Sequence, residues 1–555
     1  MAGHPVVLER LARLAPDQRR AATAPPGPVL CVAPAGSGKT TTLVARIAWL
    51  IDEGVAPESI CAITFNRRAA DELRGRVETA LAPIGDGLAG RVRIRTFHAL
   101  GLELLREAGE AVAPLLDRDE VLRAVRPDLP VAERRRLDTI LSRFKLDLDV
   151  DPTAISSDAE AGPVARTYAA YEAEIRQRGG VDFDDLVARA LRLLERNATI
   201  LATWRDRCRH LLVDESQDLD RAQLRLALLL AAPANRIFLV GDDDQSIYGW
   251  RLADVRRLLS LADEALPGLQ RVDLETNYRC PAPVLDRAVR LVEHNVERFA
   301  KVICAGPKAD GRLILAPTAA DDIDRAAAAL ASWRDDEGTR AVLARTNREL
   351  LPVVAAALRL GVPFRAEDLV LPIESPLVDE LLEEAGGQAN DPEPAVVTIG
   401  RARASVQRDP VIDAHDADED GTHDRSAIAA ALLGWAAGCA SVDALRTAVA
   451  STRRLLAELR RDDAPLTLAT AHGTKGLEFD HVAVIGLDEG RFPSARSIAD
   501  ALEPDRAMEE ERRLAYVAWT RARRSLTLAY DPGAPSAFLL EAFSPAELGL
   551  VARRS

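Results

Sequence analysis

The clearest pattern along the chain is a short apolar run followed by a polar turn and a helix-like spacing of apolar residues. The run "GPVLCVA" contains β-branched residues and predicts a buried strand. After the turn, "TTTLVARIAWLI" has apolar residues at helical intervals. The pattern therefore predicts a strand, a tight turn and a helix in direct succession.

Apolar strands that end in polar residues recur farther along the chain. The segments "SICAITFN", "RVRIRTFHAL", "HLLVDESQD" and "NRIFLVGDDDQ" predict strands ending near Thr64, Thr96, Asp214 and Gly241. Later, "HVAVIGLDEG" and "SLTLAY" predict strands that flank the amphipathic helix "EEERRLAYVAWTRA". Strands that alternate with helices indicate an α/β fold with parallel sheets. Because ligands of such sheets bind beyond the carboxyl ends of the strands, we expect the polar residues to share one site.

Composition narrows the class of protein. A chain of 555 residues is expected to form several domains. Its net charge of -14 argues against a general coat of positive charge but not against a local basic groove. Six scattered cysteines favour reduced thiols without a zinc site. No apolar run approaches the length of a membrane span of about 18 residues. We expect a soluble cytoplasmic protein that does not span a membrane.

The turn after the first strand has the composition of a phosphate-binding loop, "VAPAGSGKTTTL". Gly36 and Gly38 permit backbone N–H groups to face phosphate oxygens, and Thr40 can offer its hydroxyl to Mg²⁺. Basic positions number 72, yet Lys stands at only five of them, including Lys39. A compact ammonium fits between two phosphates where a planar guanidinium is too large. The alternative is a glycine-rich turn without a ligand.

Two acidic residues follow the strand in "HLLVDESQD". A carboxylate at the carboxyl end of a strand, such as Asp214, can hold Mg²⁺, and its neighbour Glu215 can orient or deprotonate water. By itself the pair is equally consistent with a helix cap.

Aromatic side chains make up 4% of the chain, yet several follow predicted strands: Phe65, Phe97, Tyr248 and Trp250. Base–aromatic stacking contributes ~1–3 kcal/mol per base. The stacking energy of one base step in DNA averages ~1.4 kcal/mol. Because the two energies are similar, an aromatic side chain can stack on a base and release it again. Five neighbouring residues are candidates for phosphate and sugar contacts: Asn66, Arg67, Thr96, His98 and Arg251. The alternatives are that Trp250 anchors the core and that His98 is a structural histidine.

Ten motifs in order, between about residues 14 and 531, resemble those of superfamily 1 DNA helicases of the UvrD/Rep type. They are "LAPDQRRAA", "TFNRRAADELRGRV", "RTFHALGLELL", "DFDDLV", "VDESQD", "GDDDQSIYGWR", "LETNYRCP", "VLARTN", "TAHGTKGLEFDHV" and "EERRLAYVAWTRAR". The resemblance implies two RecA-like lobes, each with a mainly helical insertion. It also implies ATP and Mg²⁺ as cofactors and single-stranded DNA as the track, including 3′-tailed duplexes.

The resemblance also implies roles for individual residues. In catalysis, Gln245 would sense the γ-phosphate, and Arg279 and Arg521 would stabilise its charge. Tyr278 would stack on adenine. The other residues implied to contact the nucleotide are Gln18, Ala35, Gly36, Ser37, Gly38, Lys39, Thr40, Thr41, Gly476 and Glu478, with Thr40 and Asp214 at the metal. For DNA the resemblance implies base stacking by Phe65 and Trp250, and it adds Tyr248 and His472 to the contacts.

The motif order predicts the domain boundaries. We assign the first lobe to residues 1–105 and 178–272, with a helical insertion at 106–177. We assign the second lobe to 273–365 and 465–535, with a shortened insertion at 366–464, and a short C-terminal tail to 536–555.

Three functions stay open at this point. The first is an ATP-driven motor that moves 3′ to 5′ on single-stranded DNA and unwinds duplex in repair or replication. The second is a translocase that displaces proteins from DNA but unwinds little, since the second insertion is short. The third is a nucleotide-switched DNA-binding module without productive turnover. The set of Lys39, Glu215, Arg279 and Arg521 disfavours the third, because a switch needs no complete hydrolytic set.

Overall fold

A computed structural model describes residues 3–129, 131–147, 162–307, 310–333, 336–387, 393–406 and 425–550. Contacts divide the chain into two compact units. Unit 1 comprises Met1–Val125, Asp138–Gly311 and Asp500–Thr520. Unit 2 comprises Arg126–Leu137, Arg312–Ala499 and Arg521–Ser555.

Unit 1 is built on a parallel six-stranded sheet with the order β3-β2-β4-β5-β1-β6. Its strands are β1 (Val29–Val32), β2 (Ile60–Thr64), β3 (Arg93–Thr96), β4 (His210–Val213), β5 (Ile237–Gly241) and β6 (Gln270–Asp273). A small parallel pair joins β7 (Thr276–Asn277) to β8 (Cys304–Ala305). The four central strands β1, β2, β4 and β5 are buried along their whole length, which explains their continuous apolar sequences.

Helices make up most of the rest of unit 1. They span Pro5–Arg13, Pro16–Ala22, Lys39–Asp52, Arg67–Leu81, Leu88–Arg91, Phe97–Glu107, Arg118–Val125, Pro163–Arg178, Asp185–Arg196, Ala198–Arg207, Arg221–Ala231, Val255–Leu259, Leu261–Glu264, Ala282–Val292 and Pro504–Trp519. A further helix, Val131–Leu146, has its residues from Asp138 onward in unit 1. Two apolar clusters pack against the sheet, one containing Phe97 and Trp204 and the other Ile47 and Phe238.

Unit 2 is built on a second parallel sheet, with the order β11-β12-β10-β13-β14-β9. Its strands are β9 (Arg312–Pro317), β10 (Arg340–Ala344), β11 (Phe364–Arg365), β12 (Leu466–Thr470), β13 (Phe479–Val484) and β14 (Ala522–Tyr530). Its helices are Asp322–Ala331, Asn347–Leu360, Pro376–Gly387, Ala395–Val406, Arg425–Ala436, Val442–Leu459, Ala495–Ala499 and Ala537–Ala542. The four from Pro376 to Leu459 share an apolar cluster of their own that includes Leu381, Ile399 and Leu432.

The predicted α/β class with two parallel sheets flanked by helices is confirmed. Each strand predicted from an apolar run is present, and so is the helix after the glycine-rich turn. The division into compact units places residues 273–311 and 500–520 in unit 1, whereas we had assigned them to the second lobe from the sequence. The lobe and insertion boundaries stay a prediction. Parts of both predicted insertions, at 148–161, 388–392 and 407–424, and the last five residues of the predicted tail lie outside the described residues.

Two further expectations concern the chain as a whole. None of the six cysteines, all of which the structure describes, forms a disulfide bond. Among the described helices, none combines the length and the apolar character needed to cross a membrane.

Candidate nucleotide and DNA site

The glycine-rich turn in unit 1 connects β1 to the helix Lys39–Asp52. Gly36 and Gly38 both have left-handed backbones, with φ of 67° and 85°, a conformation that favours glycine. A Cβ atom at Gly38 would lie 2.6 Å from Nε2 of Gln18, so the turn has no room for a side chain there. The turn therefore presents backbone N–H groups at a helix N-terminus, the arrangement that binds phosphate.

Lys39 is the first residue of that helix, and its Nζ atom is buried without a hydrogen-bond partner. The nearest opposite charge is Oε2 of Glu215, at 3.6 Å. The Ser37 hydroxyl in the same turn is also buried and unpartnered. Buried polar groups in folded proteins are nearly always hydrogen-bonded, so these two atoms indicate an anionic ligand such as a phosphate.

The acidic pair lies directly after β4. Burial, and then the charge of Glu215, raise the pKa of Asp214 to about 7. Glu215 has a left-handed backbone with φ of 51°, which a non-glycine residue adopts only where its surroundings hold it. Its carboxylate accepts a hydrogen bond from Nε2 of Gln217 at 2.7 Å. A desolvated carboxylate of raised pKa is suited to hold a divalent cation, which would keep it ionised.

Gln245 lies beyond β5, where Nε2 donates to Oδ2 of Asp242 at 2.6 Å. The backbone N–H of Asp242 donates in turn to Oε1 of Gln217 at 3.0 Å. Since Gln217 also contacts Glu215, a chain of hydrogen bonds links Gln245 to the acidic pair.

Three consecutive aspartates in this segment share one buried lysine that the sequence reasoning missed. Nζ of Lys301 lies 2.9 Å from Oδ1 of Asp242, 2.9 Å from Oδ2 of Asp244 and 2.5 Å from Oδ1 of Asp243. Arg298 adds a bidentate pair to Asp244, at 3.0 and 2.9 Å. The signal available in the sequence was the rarity of lysine. Three of the five lysines, Lys39, Lys145 and Lys301, pair with carboxylates in the structure.

The predicted adenine and phosphate contacts surround the glycine-rich turn. Nε2 of Gln18 donates to the Ser37 carbonyl at 2.8 Å. The backbone N–H of Tyr278 donates to the Gly36 carbonyl at 2.9 Å, and the Tyr278 side chain is about half exposed. Nη1 of Arg279 donates to the Thr520 carbonyl at 3.3 Å. Gln18 and Tyr278 thus contact the turn directly, and a Cβ atom at Gly36 would lie 2.7 Å from Cβ of Arg279.

Asn277 is a second residue that the sequence reasoning missed. Its Nδ2 donates to the Ala35 carbonyl at 2.6 Å, and its Oδ1 accepts from the backbone N–H of Arg279 at 2.9 Å. It therefore holds the "NYR" segment against the turn. Thr40 lies half-buried and Thr41 exposed in the first turn of the helix.

The remaining predicted nucleotide contacts belong to unit 2. Gly476 has a left-handed backbone with φ of 85°. Glu478 forms an ion pair with Arg523, and Nη1 of Arg521 donates to the Leu477 carbonyl at 3.0 Å. Burial, and then the charges of Arg345 and Lys475, lower the pKa of His472 to about 3, so the imidazole is neutral at pH 7. Gly476, Glu478, Arg521 and His472 thus occupy neighbouring loops of one unit.

Aromatic side chains meet at the carboxyl edge of the unit 1 sheet. The rings of Phe65 and Tyr248 stack with centroids 4.9 Å apart, and Trp250 lies edge-on to Tyr248 at 6.2 Å. Trp250 is 56% exposed, which argues against a core anchor. The guanidinium of Arg251 lies 4.6 Å from the centroid of the Trp250 ring. Aromatic faces beside cations are the features that bind single strands.

Three of the predicted polar contacts at this edge are either helix caps or an exposed cation. Asn66 and Thr96 accept hydrogen bonds from the backbone N–H groups of Ala69 and Ala99, so both are N-caps of helices. Arg67 follows its cap and is exposed. The two caps thus have a structural role that the sequence reasoning did not assign to them.

His98 stacks on Phe183, with ring centroids 3.8 Å apart and an angle of 18° between the planes. Burial lowers the pKa of His98 to about 4. Phe183 itself is 55% exposed and was missed, although it lies within the quoted motif "DFDDLV". The signal available in the sequence was an aromatic residue between two aspartates.

Comparison with known proteins bears on this site. Residues 14–265 match the UvrD/REP helicase N-terminal domain, and residues 447–532 match the UvrD-like helicase C-terminal domain. DNA helicase II of Escherichia coli (strain K12) is 30% identical, over 92% of this chain and 84% of the relative. The chain belongs to the UvrD/REP helicase family.

Other members of the UvrD/REP family are similar over comparable lengths. The ATP-dependent DNA helicase PcrA of Leuconostoc citreum is 28% identical, over 90% of this chain and 80% of the relative. DNA helicase II of Haemophilus influenzae is 29% identical, over 94% of this chain and 85% of the relative. The N-terminal domain match contains the glycine-rich turn, the acidic pair and the aromatic residues at the sheet edge.

Proposed function

We propose that this ATP-dependent DNA helicase moves 3′ to 5′ along single-stranded DNA and separates duplex strands in repair or replication. The observation that carries the proposal is the buried ammonium of Lys39, which has no hydrogen-bond partner and lies 3.6 Å from Glu215. A cation held in this way at a helix N-terminus is suited to the phosphates of ATP. We place the enzyme in the cytoplasm, associated with the nucleoid.

Mg²⁺ is the second cofactor in this proposal. Thr40 and Asp214 would hold it, and when bound it supplies positive charge at the phosphate oxygens. The raised pKa of Asp214 supports the assignment, since burial and the charge of Glu215 outweigh the opposing charge of Lys39. Among the residues that the structure describes, no three candidate metal ligands form a cluster. This suits an ion that takes most of its ligands from the nucleotide and water.

The chain's own groups carry the hydrolytic step. Glu215 orients and deprotonates the attacking water, and Lys39 binds the β- and γ-phosphates. Arg279 and Arg521 stabilise the charge that develops on the γ-phosphate, and losses of such groups cost ~10³–10⁵ in rate. Gln245 senses the γ-phosphate.

The remaining nucleotide contacts set affinity for ATP. Gln18 and Tyr278 bind the adenine, and Glu478 binds the ribose. The positions of Gln18 and Tyr278 beside the glycine-rich turn support this assignment. Ala35, Gly36, Ser37, Gly38 and Thr41 complete the phosphate cradle, with Gly476 beside Glu478.

The DNA track follows the aromatic edge of unit 1. Phe65, Tyr248 and Trp250 provide stacking faces there, and Phe183 provides a fourth beside His98. Each stacked base contributes ~1–3 kcal/mol, which is close to the ~1.4 kcal/mol of a base step in DNA. Bases are therefore exchanged without a large barrier, as movement requires.

Phosphate and sugar contacts come from the residues around these rings. We assign them to Asn66, Arg67, Thr96, His98 and Arg251 of unit 1, and we assign a separate contact to His472, which belongs to unit 2. Arg67 and Arg251 are exposed cations, whereas Asn66 and Thr96 would contact DNA in addition to capping their helices. The preferred partners are single-stranded DNA and 3′-tailed duplexes.

One set of assays tests the proposal. ATP hydrolysis is measured with and without single-stranded DNA, beside the unwinding of duplexes that carry a 3′ or a 5′ tail. We expect DNA-stimulated hydrolysis and unwinding of the 3′-tailed duplex only. Stimulated hydrolysis without strand separation indicates a translocase that displaces proteins. DNA binding that responds to ATP without turnover indicates a nucleotide-switched module.

A further inference from the structure

A glutamate far from Trp250 in sequence is hydrogen-bonded to the turn that carries it. Oε1 of Glu510 accepts from the backbone N–H of Gly249 at 2.9 Å. Gly249 begins the one-turn helix Gly249–Arg251, so Trp250 directly follows the residue that Glu510 contacts. Both partners belong to unit 1. The exposed ring of Trp250 therefore belongs to a backbone segment that is hydrogen-bonded to the carboxylate of Glu510.

The position of Glu510 is fixed by its helix, Pro504–Trp519. The preceding residue Glu509 accepts from the backbone N–H groups of Val296 and Glu297, at 2.8 and 3.2 Å. One helical turn before Glu510, Nη2 of Arg506 donates to Oδ1 of Asp254 at 2.9 Å. These bonds on either side of the helix leave the carboxylate of Glu510 little freedom.

The fit between Glu510 and Gly249 leaves no space for a methyl group. A Cβ atom at Gly249 would lie 2.4 Å from Oε2 of Glu510 and 3.0 Å from its Cδ. Gly249 does not have a left-handed backbone, so its conformation suits any residue. A side chain at Gly249 would therefore displace the carboxylate of Glu510 without straining the local backbone.

The same helix reaches the nucleotide side of unit 1 at its other end. Thr520 is its C-cap residue, and its carbonyl accepts from Nη1 of Arg279 at 3.3 Å. Ten residues separate Glu510 from Thr520, a helical rise of about 15 Å. One rigid element thus contacts both the Trp250 turn and an arginine proposed to meet the γ-phosphate.

We infer that Glu510 is a positioning residue that holds the Trp250 stacking face in the orientation that DNA requires and ties it to the Arg279 side of the site. The inference rests on the proposed function, in which Trp250 contacts a base. Glu510 itself is not assigned a contact with DNA or nucleotide.

Three single variants and one double variant test the inference: Glu510→Ala, Glu510→Gln, Gly249→Ala, and Gly249→Ala combined with Glu510→Ala. The readout is the concentration of single-stranded DNA that gives half of the maximal ATPase stimulation. Asp505→Ala is the matched control, since it removes an exposed carboxylate from the same helix. Thermal melting of every variant establishes that it is folded.

Glu510→Ala should raise the half-saturating DNA concentration about three- to tenfold, the range for one lost hydrogen bond. Glu510→Gln keeps an acceptor oxygen and should restore most of the response. Removing a negative charge alone would strengthen DNA binding, so the expected direction distinguishes positioning from electrostatics. Gly249→Ala should resemble Glu510→Ala, because the methyl group displaces the carboxylate. Added to Glu510→Ala, it should have no further effect.

Two results would overturn the inference. One is that folded Glu510→Ala has a half-saturating DNA concentration within twofold of wild type, whereas Trp250→Ala raises this concentration. The proposed role of Trp250 is then retained, and the role of Glu510 is rejected. The other is that the effects of Gly249→Ala and Glu510→Ala add up in the double variant. If Glu510→Ala does not fold, Gly249→Ala decides: a half-saturating DNA concentration within twofold of wild type in this folded variant overturns the inference. Trp250→Ala without effect on the DNA response contradicts the proposed function instead.

Discussion

Lys39 and Glu215 face each other across the phosphate loop, with Nζ 3.6 Å from Oε2. The separation is longer than a hydrogen bond, and the ammonium has no other hydrogen-bond acceptor. The two groups therefore hold opposite charges close together without neutralising each other through a direct bond. A phosphate can then bind to the ammonium of Lys39, and a water molecule can bind to the carboxylate of Glu215. The first two predictions test these two groups separately.

Lys39→Ala should lower ATP turnover by about 10²–10³-fold or more, the range for a lost group at a developing charge. Lys39→Arg should be almost as damaging, because a planar guanidinium does not fit the space of a compact ammonium. Steady-state ATPase with saturating single-stranded DNA measures both. Arg13→Ala, at an exposed position, is the control. Near-normal turnover in folded Lys39→Ala would contradict the phosphate-loop assignment.

Glu215→Gln should keep ATP binding and lose hydrolysis. The amide preserves the shape of the side chain and leaves Asp214 available for Mg²⁺, but it cannot deprotonate water. Equilibrium binding of a fluorescent ATP analogue, measured beside single-turnover hydrolysis, separates the two steps. A collapse of nucleotide affinity together with turnover would assign Glu215 to metal binding or structure.

Trp250→Ala should weaken binding of single-stranded DNA by part of a ~1–3 kcal/mol stacking contribution, because Phe65 and the phosphate contacts remain. DNA stimulation of the ATPase and movement along DNA should fall much further than binding. Trp250 lies five positions after Gln245, so a shift at the nucleotide reaches the ring through a short segment. Basal ATPase should survive. A large fall in melting temperature with loss of basal ATPase would show that Trp250 is structural.

Lys301→Met should destabilise unit 1 by about 3–5 kcal/mol, because it leaves buried carboxylates without their cation. Lys301 contacts three consecutive aspartates, and Arg298 compensates only Asp244. Thermal melting at pH 7 measures the loss. Arg290→Met removes a half-exposed cation and should change stability by no more than about 0.5 kcal/mol. Equal melting temperatures for the two variants would refute the role of Lys301.

His98 should make the protein less stable in mild acid. Burial lowers its pKa to about 4, and the charge of Asp184 opposes this shift only in part. An unfolded histidine has a pKa of about 6.5, so the unfolded state binds more protons as the pH falls. Stability from this group is present above about pH 6.5 and declines toward pH 4; the loss at pH 5 is about 2 kcal/mol.

The measurement for His98 is the difference in melting temperature between pH 7 and pH 5. His98→Gln should reduce this difference, because glutamine does not titrate. His294→Gln, at an exposed histidine, is the control and should leave the difference unchanged. An unchanged pH response in His98→Gln would show that the histidine is equally easy to protonate in both states.

Local sequence determined the elements around the phosphate loop. An apolar run of strand length, glycines where the chain turns sharply and a helical period afterwards are properties of adjacent residues, so the strand, loop and helix around Lys39 could be predicted. The same holds for Asp214 and Glu215, which follow an apolar strand directly. These features depend on backbone preferences and on burial of one segment, and both are encoded within a few residues.

Only the tertiary structure decided which distant groups meet. Lys301 lies 59 residues from Asp242, and Glu510 lies 261 residues from Gly249. His98 finds its ring partner 85 positions later, at Phe183. With 72 basic and 86 acidic residues, the sequence offers far too many possible pairs. The packing of helices on the sheet selects among them, because burial makes an unpaired charge costly and so fixes which cation each carboxylate receives.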